Sequence, residues 1–281
     1  MTLKSRLIKY SLIGIAIAII FIILKSLFVS TMPESSGNNK IAHLSIDDVE
    51  SFKDLHLNAD KYDTLFDHPF FGYLHSLHCK YGAKFTLYTY STIDSFNIKD
   101  LSLKYKKDFR NSASWLKIGY HWISKDFNHD ITVCDFNDSY RNVCEAIYNF
   151  ADSSNLSTTL RLHYFYAPDS LVKCLTKCTK LLCADQKGRL SYNLTPSQAD
   201  SVYNYQILLK DSIYYMRTDF RIENHTYIIP HLRNCKNDTI VIFTHEWALF
   251  SNKNIIKKHI NRYNLEASIQ WLKKNQYNFI F

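Results

Sequence analysis

His43-Leu44-Ser45-Ile46-Asp47-Asp48-Val49 is a short apolar run that stops on two adjacent carboxylates. Ile41 to Ile46 reads as the first core strand, delivering Asp47 and Asp48 to one rim of a barrel. Alternate side chains of a strand point to opposite faces, but where a strand ends the backbone turns and neighbouring acids can converge. One acid then binds a cation while the other handles a proton. Taken alone, the pair reads equally well as turn chemistry, with Asp47 capping the next segment and Asp48 in solvent. The rest of the chain has to decide.

Outward from this stretch the pattern alternates. Asp67 to Tyr81 carries Phe70, Phe71, Leu74, Leu77 and His78 at helical spacing, and Gly82 suits its C-terminal cap. Lys84 to Tyr90 reads as a second strand, Asp100 to Phe109 as a helix, and Trp115 to Tyr120 as a third strand ending on His121. A helix over Asn137 to Ala151 precedes a fourth strand, Thr158 to Leu162, ending near His163. Ser170 to Thr179 reads as helix and Lys180 to Ala184 as a fifth strand ending on Asp185. Tyr203 to Glu223 is strand material with a hairpin turn near Lys210 and Asp211. Thr239 to Phe243 is a buried strand ending at Thr244, His245 and Glu246, and Asn254 to Asn275 is a long closing helix. Alternating strands and helices predict an α/β fold, a distorted (β/α) barrel of mostly parallel strands, with an open doubly wound sheet as the other solution. In both, functional side chains gather at the C-terminal ends of the strands. Here polar residues fall at those ends repeatedly, and a random scatter of 12 histidines would not favour such places.

Upstream, Tyr10 to Leu24 is uncharged and rich in Ile, and with Lys25 snorkelling it extends to Ser30, close to the ~20 residues of a membrane span. Lys4, Arg6 and Lys9 precede it, so the N-terminus is expected in the cytoplasm and the bulk outside it. The expected organisation is a tail and transmembrane anchor over 1–30, a Pro- and Gly-containing linker over 31–40, and a barrel over 41–281, with a signal peptide as the rival to the anchor. The formal charge is +8. Lys4, Arg6, Lys9 and Lys25 account for half of it, and the remainder is too mild to imply nucleic acid. The 7 cysteines leave at least one unpaired, and Cys174, Cys178 and Cys183 match no strong zinc spacing. With 6 glycines there is no nucleotide-phosphate loop to suggest a glycosyltransferase.

A carboxylate with two imidazoles suits zinc or a similar divalent ion with an open position. Such an ion activates water and polarises a carbonyl, while a second carboxylate takes a proton and a histidine opposite supplies one. Hydrolysis of an amide or ester is the reaction this inventory fits. At these residues the chain resembles the polysaccharide deacetylase family, the NodB homology domain, from about Ile41 to Leu249. Ser45-Ile46-Asp47-Asp48 is similar to the family's first motif, Ile118-Gly119-Tyr120-His121 to the opening of its second, Arg161-Leu162-His163-Tyr164 to its third and Ile242-Phe243-Thr244-His245 to its last. The resemblance implies Asp47 as base, Asp48 and His121 as metal ligands, Arg161 orienting Asp47, and His245 as general acid.

Two departures follow. Lys125 stands where the family's second motif has another His, and His163 stands where its third has Pro. His163 is therefore expected to supply the missing ligand, with His129 as its substitute. Glu246 is expected to support the metal site from behind, and Trp247, Tyr164 and Asp185 to contact substrate. The expected activity is removal of acetyl or similar acyl groups from a glycan or cell-envelope polysaccharide outside the cytoplasm, with one divalent ion, zinc, as cofactor. Two other readings stay open: a glycoside hydrolase using Asp47 and Glu246, and a glycan-binding relative that does not cut.

Overall fold

A computed structural model describes residues 40–281 apart from 176, 177, 187, 188 and 252. The anchor and the linker up to residue 39 lie outside the described residues. Among those described, no helix is long and apolar enough to cross a membrane.

In chain order the elements are β1 (Ile41–Val49), α1 (Ser51–Leu57), α2 (Pro69–Tyr81), β2 (Phe85–Tyr90), β3 (Thr92–Ile93), β4 (Phe96–Asn97), α3 (Lys106–Asn111) and β5 (Leu116–Trp122). Then come α4 (Val133–Phe150), β6 (Thr159–Leu160), α5 (Asp169–Leu175), β7 (Leu181–Ala184), α6 (Pro196–Tyr205), β8 (Ile207–Lys210), β9 (Ile213–Arg217) and β10 (Phe220–Arg221). The chain finishes with α7 (Ile229–Asn234), β11 (Thr239–His245), α8 (Glu246–Phe250), α9 (Ile255–Lys274) and β12 (Asn278–Ile280). The main helices carry local start and stop signals. Thr132 accepts from Asp135 N–H at the head of α4, Thr195 and Gln198 form a reciprocal cap on α6, and Asn254 accepts from Lys257 N–H on α9. Gly82 ends α2 in the left-handed region at φ 71, where a side chain would be strained.

One sheet runs β10-β11-β1-β2-β5, with β12 also beside β1, and every pairing in it is parallel. The other runs β6-β7-β9-β8, parallel except for the β8–β9 hairpin. The sheets meet at both ends. Ile118 of β5 bridges Leu156 in parallel and its carbonyl accepts from Ser157 N–H at 2.8 Å. Between β9 and β10, Thr218 N–H donates to Ala184 of β7 and Asp219 N–H to Val241 of β11. This mostly parallel α/β sheet fold, bonded across both seams, is consistent with a (β/α) barrel. Gly119 lies at the first seam, where an added Cβ would stand 2.9 Å from Leu160 Cδ2 and 3.1 Å from the Tyr88 ring.

Along β1 the two-residue alternation sorts side chains by chemistry. Ala42, Leu44 and Ile46 join the main apolar core, whereas His43, Ser45 and Asp47 are buried polar residues on the other face. Several expected spans are shorter or divided. The helix read over Asp100 to Phe109 is two 3₁₀ turns followed by α3, because Asn97 and Ser102 each cap a separate short turn. The strand read over Thr158 to Leu162 narrows to Thr159–Leu160, and the strand material from Tyr203 begins instead as the last turn of α6. The hairpin stands where expected, with Asp211 and Ser212 at φ 50 and 66. The described cysteines are all free thiols.

Candidate metal and catalytic site

The register of β1 against β2 slips between Ile46 and Val49, and Asp48 is the residue in the slip, at φ 55. Aspartate tolerates the left-handed region better than most residues. The bulge breaks the alternation, so Asp47 continues the inner polar face while Asp48 reaches the rim beside it.

On the inner side, Asp47 and Arg161 are both buried, with Arg161 Nη1 donating to Asp47 Oδ1 at 3.2 Å. The same nitrogen bonds Ser45 Oγ, and Nη2 donates to Thr218 Oγ1 at 3.1 Å. The Arg161 guanidinium thus balances the acid charge inside the fold.

At the rim, the end of β5 brings His121 to 3.1 Å (Nε2) from Asp48 Oδ1. The turn after β6 brings His163 Nδ1 to 3.4 Å from the same oxygen and 3.1 Å from His121 Nε2. The backbone carbonyl of Arg161 lies 2.6 Å from His121 Nδ1. A carbonyl only accepts, so Nδ1 carries a hydrogen, and the neutral tautomer turns its Nε2 lone pair toward Asp48. Burial opposes charge on both partners, but when the imidazoles carry protons on these nitrogens the contacts to His121 and His163 outweigh it for Asp48 and hold its carboxyl far below the usual range. Burial likewise lowers His121, yet the Asp48 and Asp47 carboxylates outweigh it and raise the imidazole, while burial lowers His163. Three acceptor atoms therefore point at one spot, an arrangement that protons or a cation must hold together. Donors about 2.0 to 2.1 Å from a tetrahedral ion stand roughly 3.3 Å apart. The separations of 3.1, 3.1 and 3.4 Å match that edge, so the donor set fits a divalent ion.

Across the rim, β11 ends on His245, whose Nε2 lies 3.8 Å from Asp48 Oδ2. Its Nδ1 bonds Glu223 Oε1, and Glu223 also accepts from Thr244 Oγ1 at 2.9 Å and from Arg221 Nε at 2.8 Å. Trp247 on α8 stacks on His245 at 5.1 Å between ring centroids, is 48% exposed, and donates Nε1–H to Asp48 Oδ2 at 3.0 Å. Tyr164 is 53% exposed beside His163, in a turn where both Tyr164 and Phe165 have positive φ.

The structure brings together Asp47, Asp48, His121, Arg161, His163, His245 and Trp247, with Tyr164 at the edge. Glu246 and Asp185 point elsewhere. Glu246, expected to back the metal site, instead accepts from the backbone N–H groups of Glu50 and Ser51 and from Ser51 Oγ, capping α1. Asp185, expected at the substrate, accepts from Gln186 N–H and faces Arg189 in a separate cavity of about 210 Å³ lined also by Leu194 and Tyr203. Lys125 pairs with Asp94 at 2.7 Å, and His129 packs against Phe127 and Tyr166, outside the donor set. Two participants escape the sequence reading. Tyr90, the last residue of β2, bonds Asp48 Oδ1 through its hydroxyl, and its strand-end position was the available signal. Glu223 follows the two-residue strand β10 in a stretch with no clear periodicity.

No protein-family model matches the chain, and no curated protein matches it. Among solved structures it is similar to a mutant CE4 family pseudoenzyme (TM-score 0.48, 11% identity, over 87% of this chain and 66% of that one). It is also similar to a 4-alpha-glucanotransferase from Thermococcus litoralis (TM-score 0.53, 12% identity, over 86% of this chain and 39% of that one). A third is a family 4 acetyl xylan esterase from Clostridium thermocellum in complex with a cobalt ion (TM-score 0.42, 14% identity, over 86% and 87%). The chain thus spans less than two thirds of the first two. The likeness to the glucanotransferase is one of fold, at a distance in sequence.

Proposed function

We propose that this chain is a metal-dependent hydrolase that removes acetyl or similar acyl groups from a polysaccharide, acting outside the cytoplasm on an N-terminal membrane anchor. The observation that carries the reading is the convergence of Asp48, His121 and His163 between an Arg-held carboxylate, Asp47, and a Glu-held imidazole, His245. Asp48, His121 and His163 would hold a divalent ion, with zinc as the assignment. That ion, when bound, supplies Lewis-acid activation of a water and of the acyl carbonyl.

The chain's own residues do the rest. Asp47 takes the proton of the water that adds to the acyl carbon, and Arg161 keeps its carboxylate in place. His245 gives a proton to the departing amine or hydroxyl as the acyl C–N or C–O bond breaks. Glu223 fixes the orientation of His245 by accepting from Nδ1, which turns Nε2 toward the rim where the departing group would stand. The exposed faces of Trp247 and Tyr164 stand beside His245 and His163, where a sugar ring would stack. A glycoside hydrolase pairing Asp47 with Glu246 loses support, because the Glu246 carboxylate is engaged in capping α1.

The test is acetate release from N-acetylated and O-acetylated oligosaccharides before and after chelation, followed by zinc readdition. Activity lost on chelation, restored by zinc and abolished by Asp47→Asn is the expected result. Acetate release indifferent to chelator, or none from a zinc-loaded chain on any acetylated glycan, would sink the proposal.

A further inference from the structure

The Asp48 carboxylate is gripped from two sides by groups outside the donor set. The Tyr90 hydroxyl donates to Oδ1, the oxygen that faces His121 and His163, and Trp247 Nε1–H donates to Oδ2. Tyr90 is buried, its ring edge-on to both imidazoles at 5.4 Å, and its oxygen lies 3.4 Å from His163 Nδ1. Trp247 comes from the opposite wall, at the start of α8.

We infer that Tyr90 and Trp247 are positioning residues that clamp Asp48, one on each oxygen, and so set how tightly the site holds a divalent cation. The inference rests on the metal site proposed above. A terminal carboxylate torsion is broad and two-fold, so an unclamped Asp48 would swing and present either oxygen or both. Two-oxygen contact suits larger, harder cations such as calcium, whereas one oxygen with two imidazoles suits zinc or cobalt. A donor on Oδ2 engages the oxygen turned away from His121 and His163, on the side of His245, and leaves Oδ1 for the ion. The indole N–H has no acceptor lone pair, so donation is its sole polar contribution to the carboxylate. Removing a hydrogen-bond partner of a metal ligand typically lowers metal affinity about 10- to 100-fold.

The test uses the full chain titrated with cobalt(II), followed by its visible absorption, and zinc competition against a chromogenic chelator. Tyr90→Phe keeps the ring between the two imidazoles and Trp247→Phe keeps the stack on His245, so each removes little beyond its donor. Tyr90→Phe should weaken both metals by about 10- to 100-fold, since its hydroxyl is the buried donor on the oxygen that faces the imidazoles. Trp247→Phe should weaken them by roughly 3-fold, because water can replace a donor at a half-exposed place. Tyr166→Phe, whose hydroxyl faces the His129 carbonyl, should match the parent. Circular dichroism checks that every variant is folded. Parent-like affinity in both clamp variants overturns the clamp and leaves the metal site standing. A parent chain that binds neither metal overturns both. A tyrosinate charge-transfer band in the iron(III)-loaded parent, lost in Tyr90→Phe, would make Tyr90 a ligand and likewise overturn the clamp.

Discussion

Asp47 and Asp48 are neighbours in sequence and opposites in environment. Asp47 lies on the inner face of β1 with its charge balanced by the buried Arg161. Asp48, one bulge later, faces His121, His163 and His245 and no Lys or Arg forms an ion pair with it among the described residues. One acid is neutralised by the fold itself, and the other is arranged for a charge that arrives from outside. Arg161 joins the two halves, since its side chain holds Asp47 and its carbonyl sets the His121 tautomer.

The sharpest way to break this contrast is to remove the internal counter-charge. Arg161→Met leaves Asp47 buried and unpaired, which should cost about 3 to 5 kcal/mol of stability in urea unfolding. Adding Asp47→Asn should recover much of that loss, because the pair and not either partner is what the interior tolerates. Asp48→Ala should behave differently. Metal binding should fall at least about 100-fold in chelator competition, more than loss of a supporting hydrogen bond causes. Its metal-free unfolding midpoint should stay nearer the parent than that of Arg161→Met. Equal destabilisation by the two changes would erase the distinction.

How much of this was legible follows from what is local. Polar residues at strand ends are a local signal, and Asp47, Asp48, His121, His163 and His245 were found by it. The same signal misplaced Asp185, because its carboxylate past the end of β7 faces the Arg189 guanidinium rather than the rim. Tyr90 reads as one more aromatic in the run Phe85 to Tyr90, and only the packing shows that its hydroxyl reaches Asp48. Glu223 lies among β8 to β10, where elements of two to five residues are too short to show a period. Helix α1 was invisible because its N-terminal donors are satisfied by Glu246, 195 positions away, and no local residue announces the start.

A smaller effect sharpens the inner half. His43 shares the face of Ser45 and Asp47, and burial, with the Arg161 charge beside it, lowers its imidazole to about 3. A depressed pKa gives stability that is complete above the unfolded value near 6.5 and lost as pH falls toward 3. The expected loss between pH 8 and pH 5 is about 2 kcal/mol from this group. His43→Leu should flatten that part of the stability profile. An unchanged slope would mean that His43 is not held neutral beside Arg161.

The smallest expected effect tests whether the rim owes its shape to α1. Glu246 follows His245 directly, so its bonds to Glu50 N–H, Ser51 N–H and Ser51 Oγ tie the end of β11 to the segment just after Asp48. Glu246→Ala removes a helix cap, for which about 1 kcal/mol is typical. If that tie also holds Asp48 and His245 in register across the rim, zinc affinity should fall slightly along with stability, whereas Thr195→Ala, which uncaps α6 away from the rim, should lower stability alone. Measuring both quantities for both variants separates a cap that merely stabilises a helix from one that also spaces two active groups, and equal zinc affinity in the two would reduce Glu246 to the former.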